Sequence, residues 1–436
     1  MTITRAQALR SSTPGVRPPV GTRQPGELYT NWPDKALGVI DSTQTPVDLL
    51  AVRVFSSLAS YNAGDFVQTG GQMYSAKAAI TPGAFNATQW TKVTLAGDPV
   101  TSMNGGQLAG LRNKIINGAF QIDQRYAHAV IVFAAVGYVP DRWLVAVSQA
   151  GKLAGGAVTN ASLPSFAQLM NLYPVATTGY APLATDYFNL QHRVEGQDMA
   201  DLQWGTANAQ PVTLSFNVIA TAPGTYSGAI SNGAGNRSYP FTFAAGATSS
   251  YVSITIPGDT AGTWATDNTI GLTVYFDLGN GANYRTAMGA WTAGNFAGVT
   301  GTTQLVAQNG QPTLNFSGVQ LERGSIATPY ERRHIALETT LCERYYWRYT
   351  PAGTAGVRFS AYQNASQNVI QNFTFPLMRA APTGSVIGTW NLNNCTGPFF
   401  SVTSPNSAVI YVVASSTGSL DAYSSANSGF DLSAEL

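Results

Sequence analysis

Between Ile115 and about Thr328 the chain runs through short segments in which apolar and polar residues alternate with a period of two, the spacing of a half-buried strand. They read AFQIDQR (119–125), DRWLVAV (141–147), YFNLQHRV (187–194), PVTLSFNVIA (211–220), GTYSGAI (224–230), YPFTFA (239–244), YVSITIP (251–257), IGLTVYFDL (270–278) and PTLNFSGVQLE (312–322), divided by clusters of Gly, Pro, Asn, Thr and Ser. Strands this short, without the helical periods that a parallel α/β sheet requires, predict a jelly-roll β-sandwich over 115–333. Upstream, DFVQT, QMYSAKAA and QWTKV predict three short strands in a small β module over 60–97, held mainly by its aromatic residues. Helical spacing occurs twice. Leu108, Leu111 and Ile115 point to a linker with a short helix over 98–114, weakened by Gly105, Gly106 and Gly110. Ile335, Leu337, Leu341, Tyr345 and Tyr349 predict a connecting helix over 334–349, ahead of a β-rich C-terminal domain over 350–436. Residues 1–59 begin rich in Pro, Gly, Ser, Thr and Arg and read as an extended arm that orders on a partner, with Tyr29 and Trp32 expected to bury against another chain. The expected fold is all-β: extended N-terminal arm, small β module, jelly-roll β-sandwich, short helix and C-terminal β-domain.

Composition narrows the function. Charged residues are only 10% of the chain, against about 25% in average soluble proteins, and Gly numbers 44. Such a balance suits an exposed β-rich assembly protein better than a cytosolic enzyme. A formal charge of +1 offers no field for nucleic acid or an anionic membrane, so neither is expected as a partner. No apolar stretch approaches the length of a membrane span, and the N-terminus has no signal-type apolar region, which leads to the expectation of assembly inside a cell and release by lysis. Cys342 and Cys395 lack a disulfide framework and are not expected to pair. His128, His192 and His334 are far apart, without Cys or carboxylate at ligand spacing, so no metal and no cofactor is expected. Glu195, Asp198 and Asp201 in RVEGQDMADLQW are the nearest approach to a glycosidase pair or a calcium site, and the stretch reads equally well as a solvated turn. Catalytic residues are therefore expected to be absent.

The small module carries Tyr61, Gly64, Asp65, Tyr74, Ala76, Lys77 and Trp90 in a pattern that resembles the small chitin-binding type of carbohydrate-binding module. That resemblance implies sugar stacking on Tyr61, Tyr74 and Trp90; the residues themselves favour the plainer reading that Tyr74 and Trp90 are the mini-core. In the larger part, NKIINGAFQIDQR (113–125), DRW (141–143), GTYSGAISNGAGNRSYPFTF (224–243), ITIPGDTAGTW (254–264), GLTVYFDLG (271–279), FSGVQLERGSIATPYERR (316–333), LCERYYW (341–347), FPLMRAAPT (375–383) and the ending DLSAEL resemble the tail-fibre and receptor-binding proteins of bacteriophages and prophages. The resemblance implies a virion protein, commonly a homotrimer. Its arm would hold phage tail, baseplate or neck proteins, and its carbohydrate-binding-module-like jelly roll and terminal domain would face a host surface polysaccharide. Further sugar contacts are expected from Tyr226, Arg237, Tyr239, Tyr284, Arg285 and Trp291, which sit among Gly- and Asn-rich turns, while Trp143, Trp204 and Trp264 are expected in the core. Glu322, Arg323, Glu331, Arg332 and Arg333 concentrate charge where the last sandwich strand ends. They are expected to satisfy one another and nearby carbonyls along a sheet edge, an acidic-sugar site being the rival role. Rival readings of the whole are a head or collar fibre and a polysaccharide depolymerase, the latter disfavoured by few acidic residues and no β-helix repeat.

Overall fold

The structure is a computed structural model that describes residues 53–69, 72–93 and 110–436 except 161 and 164, together with the backbone of short strands between 9 and 50. It divides into two units, Met1–Val100 and Thr101–Leu436.

In the first unit the strands Leu9–Ser11, Leu28–Asn31, Ala36–Ile40 and Pro46–Leu50 pair in that order. This part of the expected extended arm is thus paired sheet. A second sheet joins Arg53–Val54, Phe66–Thr69, Gln72–Ala76 and Trp90–Val93. Its core is aromatic, as a module of this size requires: Trp90 meets Tyr61 edge-on at 5.0 Å and stacks on Phe85 at 5.8 Å.

The second unit is built on a two-sheet antiparallel sandwich. The seven-stranded sheet runs Gly137–Tyr138, Trp143–Val147, Phe188–Glu195, Ile270–Asp277, Gly224–Asn232, Arg237–Ala245, Thr292–Ala293. The six-stranded sheet runs Ser250–Ile256, Val212–Ala220, Leu314–Arg323, Gln168–Pro174, Leu153–Thr159, Ile131–Val132. Inward positions from both, including Phe188, Leu190, Phe216, Phe276 and Phe316, interdigitate in one core with Trp143, Trp204 and Trp264.

Several expectations need correction. AFQIDQR forms no strand, because Asn117 and Phe120 adopt left-handed backbone conformations and fold the segment into turns. Leu111 is also left-handed, and the described part of the 98–114 linker is not helical. Leu314–Arg323 lies between two neighbours inside its sheet, so the charges that follow it do not run along an edge. Leu153–Thr159 was hidden in sequence by its Gly155–Gly156 pair, which breaks the alternation; a Cβ at Gly155 would lie 2.4 Å from the Asn171 carbonyl oxygen. The connecting helix is shorter than expected, Ile335–Glu343, and Tyr346–Tyr349 is a strand paired with Gly429–Ser433.

From Tyr346 onward the chain makes three three-stranded antiparallel sheets. Each takes one strand from every third of the domain: Tyr346–Tyr349 and Thr383–Ile387 flank Gly429–Ser433, Arg358–Gln363 and Trp390–Asn393 flank Gly418–Ser424, and Asn368–Thr374 and Cys395–Ser404 flank Ser407–Ala414. Ile410, Val412, Leu420, Ala422 and Phe430 point from the central strands into a shared core. Both cysteines are buried and free.

The charged stretch 322–333 sits where the sandwich meets the helix. Glu331 accepts from the amides of Arg112 and Asn113, Glu322 from the amide and hydroxyl of Thr328, and Arg333 donates to the carbonyls of Asn113 and Ile115. Glu338 on the helix accepts from the Asn117 amide, whose own carboxamide nitrogen reaches the Ile122 and Asp141 carbonyls. NGAF, DRW, VQLE, PYERR and LCERYY therefore converge on one seam.

Candidate functional site: the outward face of the seven-stranded sheet

Alternation along Phe188–Glu195 puts Phe188, Leu190, His192 and Val194 against the core and turns Tyr187, Asn189, Gln191 and Arg193 outward. The neighbouring strand Ile270–Asp277 turns Thr273, Tyr275 and Asp277 the same way, in register: Asn189 opposite Asp277, Gln191 opposite Tyr275, Arg193 opposite Thr273. Gly224–Asn232 continues the rows with Ala229 beside Tyr275 and Ser231 beside Thr273. Much of this face is itself covered: Asn189, Gln191, Thr273, Asp277, Ala229 and Ser231 are buried, and Tyr187, Arg193 and Tyr275 reach its surface.

The groups are locked to one another. Gln191 Nε2 donates to Asn189 Oδ1 at 2.7 Å, Asn189 Nδ2 to Asn280 Oδ1 at 2.9 Å, and the Arg193 guanidinium to Gln191 Oε1 at 3.2 Å. Arg193 also donates to the Leu436 carbonyl. At the other end Arg285 Nε donates to Asp277 Oδ2 at 2.8 Å, and Ser227 and two backbone amides also donate to this buried carboxyl. Burial pushes the Asp277 pKa up against the pull of Arg285. Tyr187, Tyr275, Tyr284 and Arg193 keep part of their surface in solvent, and Tyr187 meets Tyr284 edge-on at 6.1 Å.

Of the residues expected to touch sugar, Tyr284 and Arg285 come to this face. The others are placed elsewhere. Tyr226 is a strand residue at 0% exposure, its hydroxyl donating to the Ala222 carbonyl, so burial withdraws it as a stacking platform. Tyr61 and Trp90 are withdrawn for the same reason at 2% and 3%, while Tyr74 is half-buried against Phe85. Arg237 makes a two-bond fork with buried Asp259, at 2.8 and 2.6 Å. Tyr239 and Trp291 are half-buried and pack on each other at 5.4 Å; Trp291 also meets Trp204 and Trp264, forming an aromatic plug against the core. Trp32 lies outside the described residues, and only the backbone of Tyr29 is described, opposite Gly38. Sequence reading did not single out Tyr187, Arg193 and Tyr275 because it looked for sugar contacts in loops; the polar half of the strand alternation was the available signal.

From Glu195, at the end of its strand, the acidic stretch runs into the 3-10 helix Gly196–Leu202 beside a cavity of about 370 Å³ lined by Lys114, Asp198, Asp201 and Arg333 among others. Lys114 Nζ is 2.6 Å from Asp201 Oδ1 and also holds the Asp198 carbonyl, while Glu195 is buried under Arg344. Among the described residues no group of three His, Cys, Asp or Glu could hold a metal ion, and no helix is long and apolar enough to cross a membrane.

No protein-family model matches the sequence, and comparison with curated proteins gives no match. Distant structural similarity links the chain to carbohydrate-binding modules and to a phage tailspike domain. The module TmCBM61, solved with β-1,4-galactotriose, overlaps 49% of this chain and 99% of its own at 10% identity, TM-score 0.26. A family 11 carbohydrate-binding module of a Clostridium thermocellum cellulosomal cellulase overlaps 47% of this chain and 99% of its own at 13% identity, TM-score 0.22. The enzymatically active domain of tailspike protein 4 of bacteriophage CBA120 overlaps 49% of this chain and 21% of its own at 11% identity, TM-score 0.23.

Proposed function

We propose that this chain is a structural virion protein of tail-fibre type that binds a host surface polysaccharide on the outward face of its seven-stranded sheet and does not cleave it. The observation that carries the binding reading is the partly exposed set Tyr187, Arg193 and Tyr275, with Arg193 held in place by buried Gln191. The Arg193 guanidinium offers donors to vicinal sugar hydroxyls, and tyrosine faces suit the apolar C–H side of a pyranose. Because the hydrogen-bond network and the sheet already fix these side chains, little ordering is left to offset on binding. The virion reading is supported by the motifs NGAFQIDQR and VQLERGSIATPYE. With it go a partner on the tail, baseplate or neck that receives the N-terminal segment containing Tyr29 and Trp32, and self-assembly of the chain as a homotrimer exposed on the particle.

The test is binding of the full chain to an array of bacterial O-antigens and capsular polysaccharides, with polymer length followed by size-exclusion chromatography. Saturable binding to at least one polymer without shortening is expected, weakened about tenfold or more, on the order of 1.4 kcal/mol, by Tyr275→Ala or Tyr187→Ala at unchanged melting temperature. Binding indifferent to both substitutions would remove this face from the reading, and shortening of the polymer would replace the binder with a depolymerase.

A further inference from the structure

The strand Gly429–Ser433 belongs to the terminal domain, but the three residues after it are held by the sandwich as much as by their own domain. Ala434 donates its amide to the Tyr345 carbonyl at 2.7 Å, and Arg379 donates to the Ala434 and Glu435 carbonyls at 2.5 and 2.6 Å. The Glu435 carboxylate lies between two guanidinium groups of the sandwich, Arg125 at 3.1 Å and buried Arg142. These bonds fix the course of residues 434–436 and bring Leu436 to the outward face of the seven-stranded sheet.

There the Leu436 carbonyl oxygen accepts twice, from the Tyr138 hydroxyl at 2.8 Å and from the Arg193 guanidinium. Both donors stand on that face. Tyr138 is opposite Leu144, Leu144 opposite Gln191 and Gln191 opposite Tyr275, so the four form one row across adjacent strands. Leu144 and Gln191 are 3% and 7% exposed, while Tyr138 and Tyr275, about 14 Å apart at three strand spacings, keep part of their surface in solvent. Arg193 lies two residues along the strand from Gln191, whose Oε1 accepts from its Nε and Nη2 at 3.3 and 3.2 Å. Gln191 on one side and Leu436 on the other thereby use three of the five N–H groups of Arg193, and two remain for a ligand. A guanidinium held from one side alone would sample several rotamers. Held from two, it presents the remaining donors in one pose, and less freedom is lost on binding.

We propose that Leu436 and Tyr138 position Arg193 for the sugar, so that the glycan face of the sandwich is completed by a residue of the terminal domain. The inference rests on the reading of this face as the polysaccharide site. Tyr138 and Leu436 act through Arg193 and need not touch the ligand themselves.

The test is a double-mutant cycle on binding of the full chain to the polymers retained on the array of O-antigens and capsular polysaccharides, with Tyr138→Phe, Arg193→Ala and the two combined. Tyr138→Phe removes one hydroxyl and keeps the ring, so the fold is preserved. It should weaken binding about threefold, the size of one hydrogen bond, and Arg193→Ala about tenfold or more. In the Arg193→Ala background Tyr138→Phe should change nothing, because the two donors meet at the Leu436 oxygen. Tyr346→Phe, which removes a hydroxyl bond to Asp431 at 3.0 Å elsewhere on the seam, is the control and should bind as wild type does. A Tyr138→Phe loss that persists in full beside Arg193→Ala would mean that Tyr138 touches sugar directly, and would overturn the proposal. So would wild-type affinity in Tyr138→Phe or in Arg193→Ala, or an equal loss in Tyr346→Phe. Each of these leaves the polysaccharide reading standing as long as Tyr275→Ala weakens binding. A chain that binds no polymer on the array would overturn that reading, and this inference with it.

Discussion

Asp141 shows how a residue can be plain in sequence and its energetics invisible there. DRW was legible as the start of a strand, but not that the carboxylate would be fully buried beside Arg125, with Gln124 Nε2 at 2.7 Å. Burial outweighs these partners and pushes its pKa up from 3.8 to about 6. A carboxyl raised on folding binds its proton more tightly in the native state. It therefore stabilises the chain as pH falls from about 6 towards 4, and above 6 leaves a penalty of about 3 kcal/mol relative to its protonated form. Buried His192 acts in the opposite sense, since its pKa is driven well below 6.5 by burial and by Arg142, and the unfolded chain gains a proton as pH falls through 6.5. Asp141→Asn should be more favourable relative to wild type at pH 7 than at pH 4.5, a comparison from which His192 drops out; thermal melts at the two values would show it. A difference independent of pH would mean that Asp141 titrates normally. Glu195, read from sequence as one of three loose acidic residues, instead takes a fork from Arg344 at 2.9 and 2.6 Å and a bond from the Tyr345 hydroxyl at 2.7 Å. Arg344→Ala would strand that buried carboxylate and should cost about 3 kcal/mol or more in urea unfolding.

At the level of elements, the strands of the sandwich were legible because alternation survives along them, whereas the short helix does not follow the apolar spacing that predicted it: Ile335 and Leu337 are exposed and Glu338 and Cys342 are its buried residues. What sequence could not show was the seam. The segment NGAF has the composition of a loop, yet Gly118 passes so close to the Leu314–Arg323 strand that a Cβ there would stand 2.1 Å from the Val319 carbonyl oxygen, while Val319 donates its amide to the Gly118 carbonyl at 2.9 Å. No side chain fits between two backbones at that separation. Gly118→Ala should push the segment off the sheet and cost about 1–3 kcal/mol, the range of overpacked sites. Gly246→Ala, where a Cβ meets nothing within 4 Å, should be neutral or slightly stabilising. Equal melting temperatures for the two variants would show that the backbones can part freely. The charged stretch at 322–333 was correctly read as structural, and the error about its place, at an edge rather than beside a central strand, arose because strand order is not written in the alternation.

For the molecule as a whole, NGAF, DRW, VQLE, PYERR and LCERYY meet at the seam, while GTYSGAISNGAGNRSYPFTF and GLTVYFDLG form strands of the seven-stranded sheet. The seam also decides what can be removed. Leu321 and Glu331 take their partners from residues 112–114, His192 from Ile116, and the Trp143 indole from the Asn117 carbonyl. The helix and the terminal domain then cover Ile116 and Glu195 with Cys342, Tyr345 and Arg344. Sandwich and terminal domain accordingly cannot be parted without exposing buried charge on both sides. A chain of residues 101–436 should unfold in one calorimetric transition, with matching calorimetric and van't Hoff enthalpies. Chains that begin at 118 or end at 333 should fail to give a cooperative transition, because each leaves buried partners such as Glu338 or Glu195 unpaired. Two separate transitions from residues 101–436 would mean that the Arg and Tyr contacts across the seam only juxtapose two independent domains.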